Sequence, residues 1–386
     1  MALTVPIVDL RAEIEALRPA LDAALARVLD SGQLVLGPEV AAFEAEAAEY
    51  LGANYAVGLN SGTDALVIAL RVLGIGPGDE VITTPFSFFA TSEAIQLVGA
   101  VPVFVDLKEG SFTLDAAEVE AAITPRSAAL LPVHLYGDAA PMAALLPLAR
   151  RFGLRVIEDT AQAFGARYPE RCVGCPGEGG CADRTLLGRR LGTLGDVGAV
   201  SFYPTKNLGA LGDAGLLVTN DEAVAAFARK LRNHGSKHRY EHETLGYNSR
   251  LDALQAAALR VKLPYLDDWT ARRRAVAARY DAALAGIDGL TLPPASSEHV
   301  YHQYTVRIAG GRRDAVAAEL QRCGVASSVH YPTTLDVYGG RAHGGLPRAR
   351  EAAASVLSLP LYPSLDPTRQ DLVVTALRQA LRGCAS

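Results

Sequence analysis

The stretch Ser201-Phe-Tyr-Pro-Thr-Lys-Asn-Leu-Gly209 leaves one apolar run, 197–202, and leads to a second, 215–219, through a turn closed by glycine. Upstream, Glu158-Asp-Thr-Ala-Gln162 ends the apolar run 154–158. A lysine and an acid, each just beyond an apolar run, suit an open α/β sheet, whose ligands bind outside the carboxyl ends of the strands.

Outward from these two segments the same rhythm continues. Apolar runs at 55–59, 80–83, 101–106 and 128–133 alternate with helical spacing at 64–73, 90–98, 116–122 and 141–152. This βαβ alternation predicts a mostly parallel sheet covered on both faces. The first fifty residues read as two helices, one over 13–29 and one opened by Pro38, where a missing N–H costs nothing. A long helical stretch runs from 251 to 267 and on to 285. After it, a strand 304–308, a helix 313–323, a strand 326–331 and two further helices predict a smaller α/β unit. The expected organisation is a large domain over 1–250 and a small C-terminal domain over 251–386.

With 386 residues, 49% hydrophobic and 20% charged, the chain is long enough for a sizeable core in two domains. Its formal net charge of -5 and the absence of a long basic block argue against nucleic acid as a partner. No signal-like or membrane-spanning apolar segment is read, so a cytoplasmic setting is expected. Five cysteines, three of them clustered, argue against a secreted disulfide scaffold.

The chemistry-bearing residues fall after predicted strands. Lys206, in its small-residue turn, offers an amine able to condense with an aldehyde cofactor. Asp159 would hold a pyridine nitrogen protonated and so make the ring an electron sink, although an N-cap role fits the same position. Gln162 lies one turn on and would face the cofactor's phenolic oxygen. In Asn60-Ser-Gly-Thr-Asp-Ala-Leu66, Gly62 and Thr63 would present N–H groups at a helix N-terminus, an anion site, though for this segment alone a plain cap by Ser61 or Thr63 is the commoner reading. With Ser201 and Lys206 present, phosphate is favoured. Phe88 is the candidate for stacking on a flat ring, while Phe86 and Phe89 read as core. His134 follows a strand and suits either the cofactor face or packing.

Four segments together resemble the DegT/DnrJ/EryC1/StrS family of sugar aminotransferases, and the likeness runs in order along nearly the whole chain. They are Asn60-Ser-Gly-Thr-Asp-Ala-Leu66, Glu158-Asp-Thr-Ala-Gln-Ala163, the run from Gly195 to Gly209, and Gly246-Tyr-Asn-Ser-Arg-Leu-Asp-Ala-Leu-Gln-Ala-Ala257. The resemblance implies PLP fold type I (aspartate aminotransferase-like) and a homodimer with active sites at the interface. It implies pyridoxal 5'-phosphate (PLP) on Lys206, Asp159 at the pyridine nitrogen, and Gln162 and Phe88 against the ring. It further implies Gly62, Thr63 and Ser201 at the phosphate, joined by Asn248 from the neighbouring subunit. Relatives with histidine at the lysine position dehydrate, so Lys206 implies transamination, with L-glutamate as donor.

Asn248-Ser-Arg-Leu-Asp252, Arg260-Val-Lys-Leu263 and Val329-His-Tyr-Pro332 look most like members acting on dTDP-3-keto-6-deoxyhexoses. His330 and Tyr331 would then line the sugar pocket. Other members act on 4-keto sugars or keto-inositols, and a non-catalytic PLP-binding or metal-sensing regulator is the rival reading.

The chain departs from the family by an insertion at about 169–190. Within it Cys172, Cys175 and Cys181 form C-x2-C-x5-C, a set that would hold zinc with a fourth ligand, or an iron–sulfur cluster, or stand as free thiols in a loop. His234, His238 and His242 are spaced by four, but Gly235 argues for a loop over a helical metal face.

Overall fold

The computed structural model describes residues 4–169, 183–238, 240–294, 296 and 298–383. The elements follow in order: α1 (Leu10–Ser31), α2 (Pro38–Leu51), β1 (Tyr55–Leu59), α3 (Gly62–Val72), β2 (Glu80–Thr83), α4 (Ala90–Leu97), β3 (Val101–Phe104), α5 (Ala116–Ala122), β4 (Ser127–Leu131), α6 (Met142–Phe152), β5 (Arg155–Asp159), β6 (Val197–Ser201), β7 (Gly215–Thr219) and α7 (Glu222–Leu231). There follow β8 (Ser236–His238), β9 (Glu241–His242), α8 (Ala253–Lys262), α9 (Leu266–Leu284), β10 (Leu290–Thr291), β11 (Tyr304–Ile308), α10 (Arg313–Arg322), β12 (Arg341–Ala342), α11 (Pro347–Ser355), β13 (Val356–Leu359) and α12 (Pro367–Gly383).

Among the described residues the main sheet has eight strands in the order β1-β7-β6-β5-β4-β2-β3-β12. Only β7 runs against its neighbours; the other pairs are parallel. Strands β2 and β7 are buried along their full length, as a sheet covered on both faces requires. Residues of α3, α4, α7 and α11 pack on one side, and α5 and α6 pack in a second core with β3, β4 and β5. Helices α2 and α8 close a third core over β1, β6 and β7. A separate antiparallel sheet, β10-β11-β13, shares a core with α9, α10 and α12.

Two expectations change. The helical stretch read as continuous from 251 to 285 divides at Pro264, whose missing N–H leaves a single 3-10 turn between α8 and α9. The strand expected at 326–331 is a single bridge, Ser328 to Ser358, and β11 pairs with β13, which was not expected. No helix among the described residues is long and apolar enough to cross a membrane.

Candidate active site

The strand tips do converge. A cavity of about 540 Å³ is lined by Gly62, Thr63, Phe88, Asp159, Gln162, Ser201, Lys206, His330 and Tyr331, nine of the ten described site residues expected from sequence. The tenth, Asn248, is exposed and lies outside it, bridged to Asn233. Cys172, Cys175 and Cys181 lie outside the described residues, and among those described no group of three His, Cys, Asp or Glu side chains could hold a metal ion. The zinc or iron–sulfur expectation therefore has no support here, and His234, His238 and His242 lie around the β8–β9 hairpin.

One wall of the cavity is the start of α3. Ser61 caps the helix by accepting from Asp64 N at 3.1 Å. Gly62 and Thr63 follow at the first helical positions, where N–H groups have no partner inside the helix. A Cβ on Gly62 would lie 2.5 Å from Ser201 Cβ, so only glycine lets the helix start meet the end of β6 this closely. Ser201 Oγ accepts from Tyr203 N at 3.3 Å, which leaves its own hydrogen free to donate.

Opposite in chemical character is the Asp159–Lys206 end. Asp159 closes β5, and its Oδ1 accepts from Ala161 N at 3.1 Å while its Oδ2 accepts from Thr91 Oγ1 at 2.9 Å. Burial pushes the Asp159 carboxyl upward, against the opposing pull of Ala161, Thr91 and Lys206. Lys206 sits in the turn after β6, with its N–H donated to Tyr203 O at 2.8 Å. Its amine has no hydrogen bond or ion pair among the described residues. Burial lowers it to about 8, with Asp159 acting in the opposite sense. A larger share of the amine is thus neutral near neutral pH than for an ordinary lysine, although the charged form still predominates below about 8.

The remaining walls are aromatic and polar. Phe88 is 56% exposed although its neighbour Phe86 is fully buried, and the Phe88 ring lies 6.1 Å from Tyr331 at a tilt. Gln162 accepts from Tyr136 N at 2.7 Å and donates from Nε2 to Tyr331 Oη at 2.9 Å. His330 is held by Ser358 at 3.1 Å, and burial followed by the Lys206 charge lowers it to about 4. His134 does not reach the cavity. It is fully buried, takes the Ala140 N–H on Nδ1 at 3.0 Å and donates from Nε2 to Glu158 at 2.9 Å. Glu158 also accepts from Gly192, Leu194 and Gly195, and these bonds outweigh burial and hold its carboxyl below the usual range.

Sequence reasoning missed Thr91, His302, Gln303, Tyr203, Thr205 and Asp213, all of which line the same cavity. Thr205 and Tyr203 stood inside the quoted lysine turn. Thr91 and His302 carried no local signal, because their reach is set by packing between distant segments.

The donor set can be tested against PLP. Unpartnered helix N–H groups beside a free hydroxyl suit a phosphate. A buried carboxylate suits a protonated ring nitrogen, and a neutral amine suits an aldehyde. All lie on one cavity, so the residues fit the group.

A family model for the DegT/DnrJ/EryC1/StrS aminotransferase family matches residues 16–378. The chain is 48% identical over 382 residues to dTDP-3-amino-3,4,6-trideoxy-alpha-D-glucose transaminase of Streptomyces venezuelae, covering 97% of this chain and 96% of that protein. It is 44% identical to UDP-N-acetyl-3-dehydro-alpha-D-glucosamine 3-aminotransferase of Acidithiobacillus ferrooxidans, covering 98% of each. Among solved structures, S. venezuelae DesV in complex with a ketimine intermediate superposes with a TM-score of 0.90 at 48% identity over 99% of both chains. A fold of the PLP fold type I class, a cavity whose donors match the cofactor, and likeness along nearly the full length lead to one conclusion: the chain belongs to the DegT/DnrJ/EryC1/StrS aminotransferase family.

Proposed function

We propose that this aminotransferase uses PLP to aminate the keto group of a dTDP-linked 3-keto-6-deoxyhexose, with L-glutamate as amino donor. The observation that carries the reading is the pairing of Lys206, an unbonded amine lowered to about 8, with buried Asp159 on one cavity that the α3 N-terminus also lines. When bound, PLP supplies an electron sink that stabilises negative charge on the carbon losing a proton. Lys206 would hold the cofactor covalently and, once released, take and return that proton at Nζ. Asp159 would keep the ring nitrogen protonated. Gly62, Thr63 and Ser201 would hold the phosphate, and Phe88 and Gln162 would fix the ring.

The nucleotide and keto position rest on likeness to the S. venezuelae transaminase, and the UDP-linked substrate in the name of the A. ferrooxidans relative is the nearest alternative. His330 and Tyr331 are assigned to the sugar. Asn248, exposed and outside its own chain's cavity, is assigned to the phosphate of a second subunit's site in a homodimer.

The test has two stages. L-Glutamate added to the purified protein should bleach the visible band of lysine-bound PLP, and a dTDP-3-keto-6-deoxyhexose should then restore it. Restoration by a 4-keto sugar, a keto-inositol or a UDP-linked ketone instead would move the substrate. No visible band after adding PLP would refute the cofactor assignment. Initial rates against both substrates should give parallel double-reciprocal lines, since both use one site in turn.

A further inference from the structure

His302 is unlike the other histidines near the cavity. It lines the cavity and is only 6% exposed, yet its Nδ1 is buried with no hydrogen-bond partner among the described residues. The segment that carries it is tied to the lysine turn. Asn207, next to Lys206, donates from Nδ2 to Val300 O at 2.9 Å, and Gln303 N donates to Tyr136 O at 3.3 Å. Burial, followed by the charges of Lys206 and Arg273 and by His330 and His299, keeps the ring neutral.

The contrast with His134 is informative. There, Ala140 N–H on Nδ1 and Glu158 on Nε2 fix which nitrogen carries the proton. On His302 no bond at Nδ1 does so. The ring can therefore meet a ligand either as donor or as acceptor. Such a ring suits a site that must take two dissimilar substrates in turn. The described charged side chains on the cavity are Lys206, Asp159 and Asp213, with no arginine among them. A fixed arginine would suit a carboxylate but would stand desolvated and unpaired while a sugar occupied the same place.

Resting on the aminotransferase reading, we infer that His302 is a substrate-contacting residue for both half-reactions. It donates to a carboxylate oxygen of the amino donor and accepts from a hydroxyl of the keto sugar. The change of tautomer needs only exchange of a proton with water while the cavity is open between substrates, with no net proton gained or lost.

The test compares His302→Leu with His302→Asn in PLP-loaded enzyme, by stopped-flow absorbance of each half-reaction separately. The leucine variant should keep its cofactor band but run both half-reactions at least ~10-fold slower, the scale of one lost hydrogen bond to substrate. Asparagine, which carries a donor and an acceptor, should recover much of both rates. Without ligands the leucine variant should melt no lower than the parent, because an unpaired polar group has been removed. A leucine variant that runs either half-reaction at the parent rate overturns the inference. So does a lowered melting temperature with loss of the cofactor band, which would mark a structural role. Failure of the parent protein to react with L-glutamate would instead refute the aminotransferase reading itself.

Discussion

Thr91 Oγ1 donates a 2.9 Å hydrogen bond to Asp159 Oδ2, so the second residue of α4 holds the acid at the tip of β5. Thr91 is itself bonded to Ser87 Oγ at 3.0 Å. The bond opposes the upward push of burial on Asp159 and so favours the ionised form that a pyridinium partner needs. Thr91→Val should raise the Asp159 pKa further. PLP affinity should fall about 10-fold, the value of a bond to a charged group, and more at about pH 6 than at about pH 8. Titration of the cofactor-free protein with PLP, followed by absorbance at the two pH values, checks this. A pH-independent loss would mean that the threonine only packs.

Lys206 carries a stability cost that its chemistry requires. Its folded value of about 8 lies below the ordinary 10.5, because burial disfavours the charged amine. Below about 8 both folded and unfolded chains hold the proton and the cost is fully present. Between about 8 and 10.5 the folded chain has shed it and stability rises with pH, and above 10.5 the cost is gone. Lys206→Met should therefore stabilise the cofactor-free protein by about 1–3 kcal/mol at about pH 7, and by little at about pH 10. Thermal melts of the two proteins at both pH values measure it. Equal melting temperatures throughout would show a solvated amine.

Glu158 anchors the loop that leads into β6. Its carboxylate, itself fully buried, accepts from the backbone of Gly192, Leu194 and Gly195 and from His134. Glu158→Gln puts an NH2 among these donors and should cost about 3–5 kcal/mol at neutral pH. The folded carboxyl lies below its ordinary 4.5, so its contribution is present above 4.5 and is lost as pH falls through the lower folded value. The gap between parent and variant in urea unfolding should hence narrow at about pH 3. A gap that does not change with pH would place the effect in packing alone.

Much of this site is local in sequence. Gly62 and Thr63 open α3, which two residues separate from the end of β1, Asp159 ends β5 and Ser201 ends β6, so each lies at or just past a strand tip. The apolar runs that mark those strands are buried on both faces and stand out from their polar turns. What could not be read depends on contacts between remote segments. The Asn207–Val300 bond that brings His302 toward Lys206 spans 93 positions, and the Thr91–Asp159 bond spans 68. Strand β13 follows α11 without a turn between them, so Ala-rich helical spacing masked it. Pro264 could have been read as a break, since its missing N–H ends α8.

The assignment of Asn248 to a neighbouring site can be tested by mixing two inactive proteins. Asn248 is exposed, its backbone bridged to Asn233, while the adjacent Ser249 Oγ turns inward to Asn60 Oδ1 at 3.0 Å. The segment thus borders the β1–α3 turn without bringing Asn248 into its own cavity. In a dimer with shared sites, Lys206→Met and Asn248→Asp subunits would combine to give one doubly altered site and one site with both native residues. The aspartate places a negative charge against the phosphate and should abolish cofactor retention in the homodimer. Co-expression of the two variants, each inactive alone, should restore activity through the native site. If Asn248 acts within its own chain, every site of the mixture carries a defect and no activity returns.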